Sequence, residues 1–376
     1  MKQEMTNRRR VGSVLLVVLL ALTGCDGFFV PEHGGGGGGT TGNYVYIANA
    51  NTNTVAGFSI GSGKLTAVSG SPVAVGYSPV ALAVTPSDSF LYVAGPGAIY
   101  VYTINSDGSL TAPSAGAGVA SLNAASIAIS PDGQWLFGLD LTTNQLIEFK
   151  INSSTGALAA QAAIPYSIQN AVVAPKMVRV APTGNYVFAA LGTGGDVVFT
   201  LNTSTGAVAV SQILTLNSTQ TSDNALAIDS TTAHLYIARS GTNGGLAVYT
   251  IGASGVLNPV SGSPFATGAQ PFAVQIDNSG KYVYAANRAD GTISGYSIGT
   301  NASLSALDGS PYTTGTGVTS LGADKTNTYI LAGAFAGAPD LSMYSIDTVN
   351  PGKLNLASSA ATGNDPTGVT EIALTH

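Results

Sequence analysis

From Gly42 onward, apolar and polar positions alternate with a period of two, the pattern of β-strands. One apolar strand recurs seven times: Tyr44-Val-Tyr-Ile-Ala, Phe90-Leu-Tyr-Val-Ala, Trp135-Leu-Phe-Gly, Tyr186-Val-Phe-Ala-Ala, His234-Leu-Tyr-Ile-Ala, Tyr282-Val-Tyr-Ala-Ala and Tyr329-Ile-Leu-Ala. Successive copies start 46, 45, 51, 48, 48 and 47 residues apart. A second strand follows each copy and carries an aromatic near its end: Phe58, Tyr102, Phe149, Phe199, Tyr249, Tyr296 and Tyr344. An Ile or Leu, a turn of Gly, Ser or Asn, and a short third strand such as Leu65-Thr-Ala-Val come next. No window of about 12 residues has a helical period.

Most units close on another apolar strand that runs into a polar turn, as in Ser126-Ile-Ala-Ile-Ser before Pro131-Asp-Gly and Phe272-Ala-Val-Gln-Ile before Asp277-Asn-Ser-Gly. Such turns have hairpin chemistry. Four strands in 45–51 residues, seven times over, is a propeller period. The spacing predicts an all-β, seven-bladed β-propeller over residues 42–376. Its first unit starts with a second strand at Tyr44, while the chain finishes on Gly368-Val-Thr-Glu-Ile-Ala-Leu-Thr-His376, a strand of the missing innermost type. Residues 369–374 are therefore expected to complete the first blade and close the ring, leaving no exposed sheet edge there.

The first 24 residues follow another pattern. Arg8, Arg9 and Arg10 precede a short apolar run from Val11 to Leu22, which has the form of a secretory signal and is short for a membrane span. It ends in Leu22-Thr23-Gly24-Cys25, at the only cysteine in the chain. This resembles the lipobox of bacterial lipoproteins, which implies lipidation of Cys25, a membrane partner through that lipid, and a place on the extracytoplasmic side of the cell envelope. Residues 25–41, with six glycines from Gly34 to Gly39, read as the lipidated cysteine and its flexible tether. Asp26 matches an inner-membrane retention signal of some lipoproteins.

Composition narrows the chemistry. Only 9% of the residues are charged, the net charge is −6, and there are three His and one Cys. Removing residues 1–24 takes the net charge to −9. Nothing here suits a nucleic-acid backbone, a thiolate or imidazole metal centre, or a cofactor. The Asp residues of the hairpin turns lack the spacing of a calcium loop.

Three segments together carry a family resemblance: Tyr44-Val-Tyr-Ile-Ala-Asn, Lys281-Tyr-Val-Tyr-Ala-Ala-Asn-Arg288, and Ser130-Pro-Asp-Gly133 after an apolar strand. The chain resembles the lactonase-like seven-bladed propellers, which include 6-phosphogluconolactonase and carboxy-muconate cyclase relatives and surface repeats of the Tyr-Val-Thr-Asn type. The family's Pro-Arg-His segment corresponds to Pro175-Lys176-Met177, so the Arg is a Lys and the His is missing. Its Asn-Glu strand exit corresponds to Ala189-Ala190-Leu191, without a carboxylate, and its Asn-Arg-Gly-His segment to Asn287-Arg288-Ala289-Asp290. Lactone opening needs a base for water or a group that stabilises the developing oxyanion. Lys176 and Arg288 can do the second; no base is evident.

Lys176, Arg239, Asn287 and Arg288 are thus the candidate ligand-binding residues, expected around the channel mouth where the inner strands begin. Three cations on one rim suit an acidic ligand, and pairing with Asp140, Asp196 or Asp290 is the competing reading. Tyr166, Gln169 and Asn170, in the longest interval, are further candidates for contact. His234 occupies an aromatic slot of the repeat, and with Tyr46, Tyr92, Phe137, Phe188, Tyr236 and Tyr284 it reads as packing between blades. The expected function is a lipid-anchored extracytoplasmic propeller that binds a small acidic ligand or an envelope protein. The alternative is a lactonase acting on a sugar-acid lactone; export sits awkwardly with a phosphorylated substrate made in the cytoplasm.

Overall fold

A computed structural model describes residues 42–112, 118–168, 172–335, 337–362 and 372–376. The predicted signal, Cys25 and the tether lie outside these residues. The described chain forms seven antiparallel sheets of four or five strands, six of them running from an inner to an outer strand in chain order. Blades 2 to 7 have inner strands Ala81–Val84, Ala124–Ile129, Met177–Val180, Gln220–Ile228, Pro271–Ile276 and Val318–Ala323. Blade 1 takes its inner strand from the far end of the chain: Ile372–Leu374 pairs with Tyr44–Asn49, setting Val45 opposite Leu374 and Ile47 opposite Ile372. The Thr375 amide donates to the Tyr44 carbonyl (3.1 Å), and the Tyr44 amide donates to Thr375 Oγ1 (2.9 Å). This is the expected closed seven-bladed propeller. Of its predicted closing strand, residues 369–371 lie outside the described residues.

Two aromatic positions of the repeat explain how one blade grips the next. Tyr46, Tyr92 and Tyr284 are fully buried, and each hydroxyl crosses to the next blade to donate to a turn carbonyl: Gly108 (2.8 Å), Gly156 (2.8 Å) and Gly352 (2.7 Å). The first aromatic of the strand lies against the same turn. Trp135 Nε1 donates to the Thr203 carbonyl (2.8 Å), and a Cβ added at Gly206 would stand 2.5 Å from the indole ring. Gly206 also has a φ of +78°, which an L side chain adopts at a cost. Blade 5 departs from the rule on both sides. It carries His234 in the aromatic slot, tied to Asp229 (Nδ1–Oδ2 2.7 Å), and the corresponding turn of blade 6 has Ala302 at φ 53° in place of glycine.

The hairpin turns in which the inner strands end, at the same end of the ring, are stitched as well. Thr183 Oγ1 donates to Thr232 Oγ1 (2.8 Å), Asn327 Nδ2 to Asp277 (3.0 Å), and Asn43 Nδ2 to Asp324 (2.8 Å). Outer strands are longer than the sequence pattern suggests in blades 3, 4 and 7: Leu158–Pro165, Ala207–Leu214 and Leu354–Ala360. A bulge interrupts each of these pairings, at Glu148/Phe149, Val198/Phe199 and Met343/Tyr344. The bulge shifts the alternation by one residue, so a regular period-two reading stops short.

Candidate functional site

The entry mouth is the end of the ring where inner strands begin and second strands finish. Lys176 precedes the inner strand of blade 4 and is half-buried; its amide donates to the Ala190 carbonyl (2.9 Å). Beside it runs the loop Leu191–Gly195. Gly192 in this loop has a φ of +57°, and a Cβ there would lie 3.2 Å from Lys176 Cε. The Gly192 and Asp223 backbones exchange two hydrogen bonds, each 3.1 Å, which join blade 4 to the inner strand of blade 5. Lys176 is therefore held on a seam between two blades.

Neighbouring family positions have become packing groups. Met177 contacts the cores on both sides of blade 5, and its Sδ accepts from the Leu226 amide (3.2 Å). Ala190 and Leu191 are fully buried. Asn287 is also fully buried. Its Nδ2 donates to Thr292 Oγ1 (3.0 Å) and Ser294 Oγ (2.9 Å), which ties its own hairpin, as Asn49 does with Thr54 in blade 1 (3.2 Å). The Asn287 Oδ1 has no partner among the described residues.

Arg239, expected on the rim, lies inside the seam between blades 4 and 5 and is 4% exposed. Its Nε and Nη2 donate to the two oxygens of Asp223 (2.6 and 2.7 Å), its Nη1 donates to Tyr249 Oη (2.9 Å), and Asp196 Oδ2 lies 3.5 Å from Nη2. Burial works against the guanidinium charge, but Asp223 outweighs it and the pKa is raised. Two carboxyls thus face one cation away from water. As a carboxylate, Asp196 finds no hydrogen-bond donor for either oxygen among the described residues; as an acid it can bond to Asp223 beside it. Burial first, and then the Asp223 charge, push the Asp196 pKa well above the carboxylate range. The sequence points to Asp196 only as a possible partner and does not single out Asp223. Its signal is a carboxylate in the polar stretch that leads into the apolar run Ala225-Leu-Ala-Ile.

Arg288 has the opposite situation. It is half-buried, and Asp290 is not its partner: Asp290 Oδ2 accepts from the Ala269 amide (2.6 Å). The guanidinium carbon instead lies 5.0 Å from the ring centre of Phe272 and 5.4 Å from that of Phe335, held between blades 6 and 7. Both rings lie within cation–π reach of the guanidinium, whose N–H groups can donate to an oxyanion. Among the described residues it has no ion pair. The candidates therefore divide: Lys176 and Arg288 are half-buried cations at the entry mouth, whereas Arg239 and Asn287 are engaged inside the protein. Tyr166 is buried against Phe199 (6.3 Å between ring centres), and Gln169 and Asn170 lie outside the described residues. Among the described residues, no group of three or more His, Cys, Asp or Glu side chains is placed to hold a metal ion.

A closed seven-bladed propeller with cations at its entry mouth defines the class. The family model described as "Lactonase, 7-bladed beta-propeller" matches residues 109–214 and 197–327, more than half of the chain, and the chain belongs to that family. No curated protein matches it. Among solved structures it is similar to a candidate 6-phosphogluconolactonase from Bacteroides fragilis (14% identity, TM-score 0.70, covering 89% of this chain and 99% of that one). A second candidate 6-phosphogluconolactonase, from Bacteroides uniformis, gives 14% identity and TM-score 0.70 over 88% and 100% of the two chains. The periplasmic gluconolactonase PpgL of Pseudomonas aeruginosa gives 19% identity and TM-score 0.60 over 72% and 84%. At these identities the likeness speaks for the fold.

Proposed function

We propose that the protein recognises and opens a sugar-acid lactone at the entry mouth, and does so outside the cytoplasm from a lipid anchor on Cys25. The observation that carries this reading is Arg288, clamped between Phe272 and Phe335 and without an ion pair among the described residues. Family membership supports the lactone class, and the likeness to a protein named as a periplasmic gluconolactonase supports an unphosphorylated sugar acid. When water adds to the lactone carbonyl, negative charge grows on its oxygen. The ring C–O bond then breaks and the departing oxygen takes a proton from solvent, leaving a carboxylic acid and a hydroxyl. Arg288 and Lys176 stabilise that charge and the acid product. With Met177 and Leu191 at the family's ionisable positions, the added water loses its proton to solvent, so turnover is modest.

The test is opening of δ-gluconolactone by the full chain above the spontaneous rate. Arg288→Met is expected to reduce the acceleration about a hundredfold, the size of losing one oxyanion donor, and Lys176→Met to reduce it too. Acceleration that survives both substitutions would sink the proposal. The Met177 and Leu191 replacements favour a second reading, ligand binding without turnover. Salt-sensitive gluconate binding with no lactone opening would select it.

The anchor makes a separate prediction. The Arg run, apolar stretch and sole cysteine fall in one window, so Cys25→Ser is expected to move the protein out of the membrane fraction. Unchanged fractionation with an unmodified Cys25 in the native protein rejects the anchor.

A further inference from the structure

We propose that Ser222 and Ser240 form a hydroxyl-reading subsite between Lys176 and Arg288, which makes the entry mouth select a polyhydroxylated acid over one without hydroxyls. This subsite rests on the sugar-acid reading above and completes it: the cations hold the acid group, and the serines hold its hydroxyls. Ser240 stands at the repeat position of Arg288, because His234-Leu-Tyr-Ile-Ala-Arg-Ser240 aligns position by position with Tyr282-Val-Tyr-Ala-Ala-Asn-Arg288. Ser222 lies opposite Ser240 on the inner strand of blade 5, and both are half-buried.

The polar first half of that strand, Gln220–Ile228, lies between the two cations. Toward blade 4, the Asp223 backbone bonds to Gly192, the residue beside Lys176. Toward blade 6, Asn224 Nδ2 donates to the Pro271 carbonyl (2.8 Å). The preceding carbonyl, of Gln270, accepts from the Arg288 amide (3.0 Å), and the following ring, of Phe272, lies against the Arg288 guanidinium.

Asn224 decides where each serine directs its proton. It is 7% exposed, and a carbonyl can only accept, so the bond to Pro271 fixes which end of the amide is nitrogen. Nδ2 also donates to Ser240 Oγ (2.9 Å), and Oδ1 accepts the one proton of Ser222 Oγ (2.7 Å). Ser222 is left with lone pairs to offer. Ser240 keeps its own proton, for which it has no acceptor among the described residues. An acceptor and a donor opposite each other on adjacent strands match sugar hydroxyls, which both donate and accept. A site built to bond hydroxyls rejects the analogue that lacks them.

Gluconate and valerate share a carboxylate and differ in hydroxyls, so calorimetric titration of the full chain with each reads the subsite without turnover. Gluconate is expected to bind more tightly. Ser222→Ala combined with Ser240→Ala is expected to weaken gluconate about tenfold, the loss of two neutral hydrogen bonds, and to leave valerate unchanged. Ser240→Thr keeps the hydroxyl and is expected to retain the preference. Binding of neither acid, valerate as tight as gluconate, a preference that survives the double substitution, or equal weakening of both acids overturns the subsite. Lactone opening is scored separately: its absence beside a serine-dependent gluconate preference rejects turnover and upholds the subsite.

Discussion

A chain ending at Glu371 should lose its cooperative fold. The five residues removed supply the inner strand of blade 1, the bonds between Thr375 and Tyr44, and the His376 contact with Asp88. Partial burial of Ile372 and Leu374, full burial of Ala373 and the lost backbone pairs together amount to roughly 5 kcal/mol. That is comparable to the entire stability of many domains, about 5–15 kcal/mol. The loss also exposes the edge of Tyr44–Asn49, a buried strand with free backbone groups, so aggregation is expected with it. Thermal unfolding followed by circular dichroism checks this. A single sharp transition within a few degrees of the intact chain would show that the closing strand is dispensable.

Arg239→Met should be nearly as damaging, though it removes no backbone pairing. The substitution leaves Asp223 and Asp196 buried together without their cation, a change of about 3–5 kcal/mol in comparable sites. Asp196→Asn should behave in the opposite way, because the acid there is already uncharged where its raised pKa exceeds the ambient pH. The sign of the pH effect follows. A carboxyl whose folded pKa lies above its unfolded value binds more protons folded than unfolded, so its contribution is complete below the ordinary Asp range and is lost as pH rises through the folded value. Denaturant unfolding should therefore show stability falling with rising pH in the intact protein, and a flatter dependence in Asp196→Asn. An Arg239→Met protein as stable as the parent, or an unchanged slope in Asp196→Asn, contradicts this account of the cluster.

The ring was legible because every blade repeats the same strand, and because the displaced ends leave one blade short by the strand that the other end supplies. Bulges hid the length of the outer strands in blades 3, 4 and 7. The inner strand of blade 5, Gln220–Ile228, is the longest inner strand, yet its first half is polar and reads as a loop. That polar half holds Asp223, so the strand and the ion cluster were missed together. At the mouth, the family resemblance points to Lys176 and Arg288 but not to the state of their charges. Whether a cation faces water or a buried carboxylate depends on a neighbouring blade, which no local pattern encodes. Arg239 lies within its strand, His234–Gly241, whereas Arg288 follows its strand, Tyr282–Asn287, and the seam partner is Asp223 for one and a pair of phenyl rings for the other.

The grip between blades points one way around the ring, from a strand near the start of one unit to a turn late in the next. Covalent order and mechanical order coincide at each of these grips, and at the last step the Tyr329 hydroxyl accepts from the Gly63 amide (2.8 Å), returning the load to the beginning. The assembled molecule accordingly has no terminal unit, as a barrel hoop has no end stave. Pulling on residues before Gly42 draws on the second strand of a sheet that the chain's last residues complete. A force applied at Gly42 would be shared by the two ends at once rather than peel one blade from the stack.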